Sequence, residues 1–263
     1  MFEIPLVSYI TVTNRPTFVF AALNMFHAQS WPNKELVLLD SSPGAAGIDL
    51  ALSFGEWMEP SPLMRKDYEG NPSVGVRLEY AEVKPGALIA AKRNLGLRLA
   101  HGDYMTWLDD DGWHDPFRVE RLMALMNENE VDLIGLQGLY WHNPIERGAL
   151  CLYRGQMGMP ISGSMVWHRR CAEKHAFDTG HTRASDHFWI NKIRADKALP
   201  HGTVNMPGLC VGISHGHNIS NPKTPTLARP CGNKRIEDFY GNEPYGLSAH
   251  CDRIREAVKE IGK

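Results

Sequence analysis

Three consecutive carboxylates, Asp109, Asp110 and Asp111, follow directly on the apolar run Tyr104-Met105-Thr106-Trp107-Leu108, which Gly102 and Gly112 bound. A short apolar run between glycines predicts a buried strand. In an open parallel sheet, ligands bind at the carboxyl edge of the strands. Adjacent carboxylates at that edge repel one another by several kcal/mol unless a cation or a hydrogen-bond donor stands among them. A divalent metal carrying a phosphate is the simplest such neutraliser; a solvated acidic turn is the plain alternative. Two further strand-like runs end in polar groups, one in Thr13-Asn14-Arg15 and one in Asp40. A pocket shared by these ends suits a nucleotide diphosphate. One acid would accept hydrogen bonds from ribose hydroxyls and another would hold the cation that bridges the phosphates.

The elements that must position these groups alternate between strand and helix. Leu6–Val12 is short and β-branched, Glu35–Leu39 is apolar, and Val76, Leu78 and Tyr80 alternate in a run to about Val83. Between them, Pro16 suits a first helical position, and Val19, Leu23 and Phe26 give one buried face to a helix over 16–29. A second helix is expected over 87–100, with Gly102 ending it in the left-handed conformation. A third should start at Asp115-Pro116 with Asp115 as cap, and bury Val119, Leu122, Met123 and Met126. Val131–Leu139 reads as one more strand. This succession predicts an α/β fold, a Rossmann-like, mostly parallel sheet flanked by helices. Later signals are sparser: a strand at Ser164–Trp167, a helix over 186–195, a long loop over 218–246, and a final helix. Its stripe of Leu247, Cys251, Ile254, Val258 and Ile261 should dock on the body of the protein.

Composition narrows the class. The 263 residues are 43% hydrophobic and 22% charged, which is ordinary globular usage. A net charge of −2 gives no basic footprint for nucleic acid. No apolar stretch approaches the roughly 20 residues of a membrane span. The opening Met1-Phe2-Glu3-Ile4-Pro5 lacks the features of a secretory signal. The five cysteines are scattered, with no C-x-x-C pair, which argues against both a disulfide framework and a structural zinc site. A reduced, cytoplasmic protein is the expectation.

The ordered set of motifs resembles the family 2 glycosyltransferases. Val7–Arg15 and Leu38-Leu39-Asp40-Ser41-Ser42 look like that family's opening, and Ala91–Leu97 through Gly102-Asp103-Tyr104 to Asp109-Asp110-Asp111 is similar to its helix, glycine, strand and D-x-D succession. The resemblance covers the first half well and the second at scattered points. It implies a GT-A fold, a nucleotide diphosphate sugar donor (UDP favoured, the base open) and a divalent cation, Mn²⁺ or Mg²⁺. Residues 1–135 would form the nucleotide-sugar-binding half, and 136–263 the acceptor-binding and lid half of the same domain. By position, Thr11 and Thr13 would line base and ribose with Asp40 near the base. Asn14, Arg15, Arg93 and Asp109 would lie in the nucleotide-sugar site, Asp110 near the ribose, and Asp111 on the metal. Two departures matter: Ser41 stands where the family usually has a second acid, and Thr13 where an aromatic often stacks.

The resemblance extends to Ala184–Trp189, similar to the family's late acidic motif. There Asp186 would deprotonate the acceptor in an inverting reaction, the alternative being a helix cap. It implies that His215, with His217 as competitor, completes the metal sphere or touches the diphosphate. Lys223, Arg229, Lys234 and Arg235 could help neutralise it or simply form a solvated loop. Trp141, Trp167 and Trp189 are either faces for sugar rings or core. The leading expectation is an inverting, metal-dependent glycosyltransferase with an unassigned acceptor. The alternatives are a nucleotidyltransferase, disfavoured because Thr13-Asn14-Arg15-Pro16 replaces a glycine-rich basic loop, and a non-catalytic nucleotide-sugar-binding protein.

Overall fold

The computed structural model describes residues 3–45, 47, 49, 75–145, 150–181, 185–215, 229–230, 235–240 and 243–261. Its main sheet has seven strands. In chain order they are β1 (Val7–Thr13), β2 (Asn33–Asp40), β3 (Gly75–Glu82), β4 (Tyr104–Trp107), β6 (Leu133–Leu136), β9 (Val166–His168) and β10 (His201–Val204). Across the sheet the order is β10-β6-β9-β4-β1-β2-β3, and every pairing is parallel except those of β9. A smaller sheet adds β5 (Trp113–His114), β7 (Gly138–His142), β8 (Cys151–Arg154), β11 (Cys210–Ile213) and β12 (Arg229–Pro230), in the order β12-β8-β7-β11-β5.

Among the described residues six helices cover these sheets: α1 (Pro16–Ala28), α2 (Ile89–Leu99), α3 (Arg118–Asn129), α4 (Arg169–Lys174), α5 (Ser185–Ala195) and α6 (Leu247–Ile261). The two faces of the main sheet bury separate cores, as strand alternation requires. Tyr9, Leu36 and Leu38 point toward Phe18, Phe26, Leu122 and Ile254. Their neighbours Ile10, Val37 and Leu39 point toward Leu97, Trp107, Trp167 and Trp189. Helix α6 packs Leu247, Cys251, Ile254 and Ala257 into the first of these cores with Val258 against it, so the terminal stripe docks on the body except at Ile261, which is exposed. No described helix is long and apolar enough to cross a membrane.

Several local expectations are corrected. The single strand foreseen over 131–139 is two strands in two sheets, β6 and β7, with Gln137 alone between them. Both are buried, so the apolar run gives no sign of the switch. Gly102 is not left-handed, since the positive-φ glycines are Gly44, Gly86 and Gly158. Helix α2 instead ends through Ala100 in extended conformation. Gly102 is required for close approach: a Cβ there would lie 2.5 Å from Ser8 Oγ and 2.7 Å from both Leu6 O and Ser8 N. Asp115 does not cap α3, which begins at Arg118; its carboxylate accepts the Phe117 N–H at 2.8 Å and closes the turn before the helix. The loop foreseen over 218–246 contains β12 and a 3₁₀ turn at Ile236–Asp238, and much of the rest lies outside the described residues.

Candidate active site

The acidic triplet sits where the chain leaves the main sheet at the end of β4 and enters the small sheet at β5. Parallel pairing levels the neighbouring strand ends, with Thr13 opposite Asp40 and Ile10 opposite Trp107. The loop after β1 therefore falls beside the acids. Arg15 is the cation that the acids need. Its Nη2 pairs with Asp110 Oδ1, its Nε donates to Asp110 Oδ2 at 3.2 Å, and its Nη1 lies 3.0 Å from Asp111 Oδ2. Thr13 Oγ1 donates to Asp110 Oδ2 at 2.6 Å and accepts the Arg15 backbone N–H at 3.0 Å, fixing the loop that carries the guanidinium. Phe18, one turn into α1, lies under it with the guanidinium carbon 4.4 Å from the ring centroid.

Charges in the triplet are sorted by these partners. Burial alone would push the Asp111 carboxyl up, but Arg15 and His215 outweigh it and hold that carboxyl well below the usual range. Burial pushes Asp110 upward, and Arg15 offsets only part of that rise. Asp109 faces the cleft, walled by protein on its other sides. This partial desolvation, then repulsion by Asp111, raises it to about 6. Fully buried His250 of α6 steadies the triplet's backbone, its Nε2 lying 3.3 Å from Asp111 O. Burial lowers the His250 pKa to about 4, so at neutral pH the ring is uncharged and can donate that bond. Nothing in the sequence marked His250, which sits in a helical stripe with ordinary core residues.

His215, just after β11, reaches the same point from the small sheet. Its Nε2 lies 2.9 Å from Asp111 Oδ2 and 3.2 Å from Arg15 Nη1. A carboxylate suits Mg²⁺ or Mn²⁺, and imidazole is a common metal ligand, so the donor types of this pair would fit a divalent cation. Among the described residues there is no group of three or more His, Cys, Asp and Glu that could hold a metal. Asp111 and His215 are the two described groups here that could ligate a divalent cation, with Arg15 now beside both. His217 lies outside the described residues, as do Lys223 and Lys234, and the side chain of Arg229 is likewise undescribed. Arg235 is well exposed and pairs with Asp238 at 4.0 Å.

Other expected site residues are placed less centrally. Thr11 is buried and donates to Leu108 O at 2.7 Å, tying β1 to the residue before the acids. Asn14 is exposed. Asp40 is fully buried, and its carboxylate accepts from Ser42 N (2.8 Å), Gly47 N (3.1 Å) and Tyr80 OH (3.0 Å). Lys92 donates to Ser41 Oγ beside it. None of Thr11, Thr13, Asn14 or Asp40 lines the main cavity.

That cavity has a volume of about 580 Å³ and lies between the ends of the two sheets. Arg15 and Asp109–Asp111 form one wall, and Arg93 and Asp186 line it as well. Asp186 lies in the first turn of α5 rather than at its cap, 31% exposed and 3.8 Å from Arg93 Nη1. The small sheet supplies Leu139, Trp141, Tyr153 and Ile213, and the segment between β8 and β9 adds Gln156 and Ser162. Trp141 pairs in register with Gly212, where a Cβ would come within 2.2 Å of the indole; only glycine lets the ring lie there. The Trp141 indole nitrogen and the Ser162 hydroxyl belong to cavity residues but are themselves buried, with no hydrogen-bond partner among the described residues. Trp167 and Trp189 are wholly core. Sequence reasoning missed Tyr153, Gln156 and Ser162, because their strand and turns are too short for a pattern.

The family model for Glycosyl transferase family 2 matches residues 83–147, the segment from the end of β3 through the acids to β7. A Bacillus subtilis (strain 168) protein named as a glycosyltransferase, EpsH, is 22% identical over 133 residues, covering 50% of this chain and 33% of its own. An uncharacterized glycosyltransferase of Haemophilus influenzae is 28% identical over 130 residues, 49% of this chain and 45% of that one. Each alignment thus spans less than half of the curated relative. The fold is shared more widely. Mannosyltransferase PcManGT from Pyrobaculum calidifontis, solved with GDP-Man and Mn²⁺, superposes with a TM-score of 0.57 over 98% of this chain and 75% of that one, at 13% identity. S. aureus TarS 1–349, solved with UDP-GlcNAc, gives 0.56 over 90% and 63%, at 12% identity. The chain therefore has a GT-A fold and is family 2-like along the segment that carries its acids.

Proposed function

We propose that the protein is a metal-dependent, inverting glycosyltransferase that moves a sugar from a nucleoside diphosphate sugar to an acceptor hydroxyl. The observation that carries this reading is one cavity with Arg15 and Asp109–Asp111 on one wall and Asp186 also lining it. That arrangement has a leaving-group side and a proton-accepting side. Asp111 and His215 would hold a divalent cation, which when bound would supply positive charge to the departing diphosphate. Arg15 would turn from Asp111 toward the same phosphates, and Asp110, supported from behind by Thr13, would face the ribose. Asp186 would take the proton from the acceptor oxygen as it attacks. Trp141, which lines the cavity, would offer its indole as an apolar face to a sugar ring.

The reading is tested by incubating the protein with UDP-GlcNAc and with GDP-mannose, with Mn²⁺ or with EDTA, and measuring released nucleoside diphosphate. Parallel thermal melts with UDP and GDP detect binding, because a ligand at 100 times its Kd raises stability by about 2.7 kcal/mol. Metal-dependent release from one donor and a matching rise in Tm are expected. No release and no shift with any nucleotide sugar would overturn the assignment.

A further inference from the structure

Arg93 does not reach the acids by way of the nucleotide loop. It leaves α2 toward α5, and its surroundings fix it there. The adjacent Asn94 donates from Nδ2 to Phe177 O at 2.9 Å and accepts the Phe177 N–H at 2.9 Å, pinning that segment to α2. The guanidinium carbon then lies 5.1 Å from the Trp107 ring and 5.5 Å from the Phe177 ring, which meet edge to face at 5.7 Å. Trp189, one turn beyond Asp186 on α5, stacks on Phe177 with centroids 4.9 Å apart and planes 14° apart. One aromatic cluster therefore grips both the arginine and the helix that carries the candidate base. From that corner Nη1 sits 3.4 Å from Ser185 Oγ and 3.8 Å from Asp186 Oδ1.

We propose that Arg93 is the positioning residue of Asp186, held by Trp107 and Phe177 at a stand-off that orients the carboxylate without closing on it. This rests on the reading of Asp186 as the base. A close two-bond pair would engage one lone pair on each carboxylate oxygen and stabilise the charged form, lowering its basicity toward the acceptor's proton. At 3.8 Å the attraction fixes the side chain's direction while its lone pairs stay open. The cation–π contacts with the two rings favour the guanidinium where it lies.

The test uses the full chain and whichever of UDP-GlcNAc or GDP-mannose it turns over. Arg93→Met keeps the apolar stem among the rings and removes the charge. A misplacement of about 1 Å at the reacting centre costs on the order of 10²-fold, so kcat should fall by about that factor. Affinity for UDP or GDP with Mn²⁺, measured by calorimetry, should be unchanged. Arg93→Lys should recover part of the rate, and its unchanged melting curve would show that the cage remains folded. Because Arg93 acts through Asp186, adding Arg93→Met to Asp186→Asn should cost no further rate. Loss of nucleotide affinity at unchanged kcat, or effects that multiply in the double variant, would overturn the proposal. Wild-type turnover by Asp186→Asn alone would instead remove the base itself, and this inference with it.

Discussion

Asp111→Asn separates two accounts of the acidic triplet. If the acids chiefly repel one another, removing one charge stabilises the metal-free protein. The structure gives the opposite expectation, because Asp111 holds Arg15 at 3.0 Å and His215 at 2.9 Å. Each charge-assisted contact contributes about 1.5–3 kcal/mol, and relief from burying a charge offsets part of the sum. A net loss of about 2 kcal/mol is the working figure. For a chain of this size each kcal/mol moves Tm by about 2–4 °C, so Tm should drop by about 4–8 °C. Calorimetry in EDTA at pH 7 measures it. The pH dependence carries the sign: the folded pKa of Asp111 lies below its unfolded value of about 3.9, so its contribution is present above that pH. It is lost as pH falls toward the folded value. The gap between wild type and variant should therefore be full at neutral pH and shrink below about pH 4. A variant that melts at or above the wild-type temperature at pH 7 would refute the view that Arg15 neutralises the acids.

Other outcomes follow from the same contacts. Asp186→Asn should retain UDP or GDP binding but lower transfer by on the order of 10²–10⁴-fold, the usual contribution of a general base; near-wild-type turnover would remove that role. His215→Ala should weaken Mn²⁺ binding in a calorimetric titration with nucleotide present, and equal affinity would take the imidazole out of the sphere. Gly102→Ala places a Cβ against Leu6 O and Ser8 N, which are backbone and cannot rotate away. It should cost about 1–3 kcal/mol in denaturant melts, and an unperturbed midpoint would show that α2 and β1 are free to part.

The parts of the fold that could be read from the chain were those with local causes. β1, β2 and α1 declare themselves through uninterrupted apolar runs and a proline at a helix start. The acids advertise a strand end because Gly102 and Gly112 bracket them. What stayed hidden depends on contacts far apart in sequence. Arg15 reaches Asp110 across 95 positions and His215 across 200. Insertion of β9 antiparallel between β4 and β6 leaves no mark on its three residues. Trp141, Trp167 and Trp189 look alike on paper; Gly212 opposite Trp141 is what opens a place for that ring beside the cavity. Asp40 shows the converse, a conspicuous strand-end acid whose carboxylate is already engaged by Ser42, Gly47 and Tyr80.

The one-residue step at Gln137 has a mechanical consequence. Its N–H donates to Val204 O in the main sheet, while its carbonyl accepts the Gly155 N–H beside the small one. The acids make a second short crossing, with only residues 108–112 between β4 and β5, and residues 205–209 make a third between β10 and β11. Two sheets stitched three times by such short spans have little freedom to hinge at these crossings. They resist opening like the halves of a shell, because any rotation would break backbone hydrogen bonds on both sides of the seam. The span from the acids to the small-sheet wall is consequently a fixed gauge. A ligand that enters the cavity therefore meets, between the acids and the small-sheet wall, a span set by backbone rather than by side-chain choice.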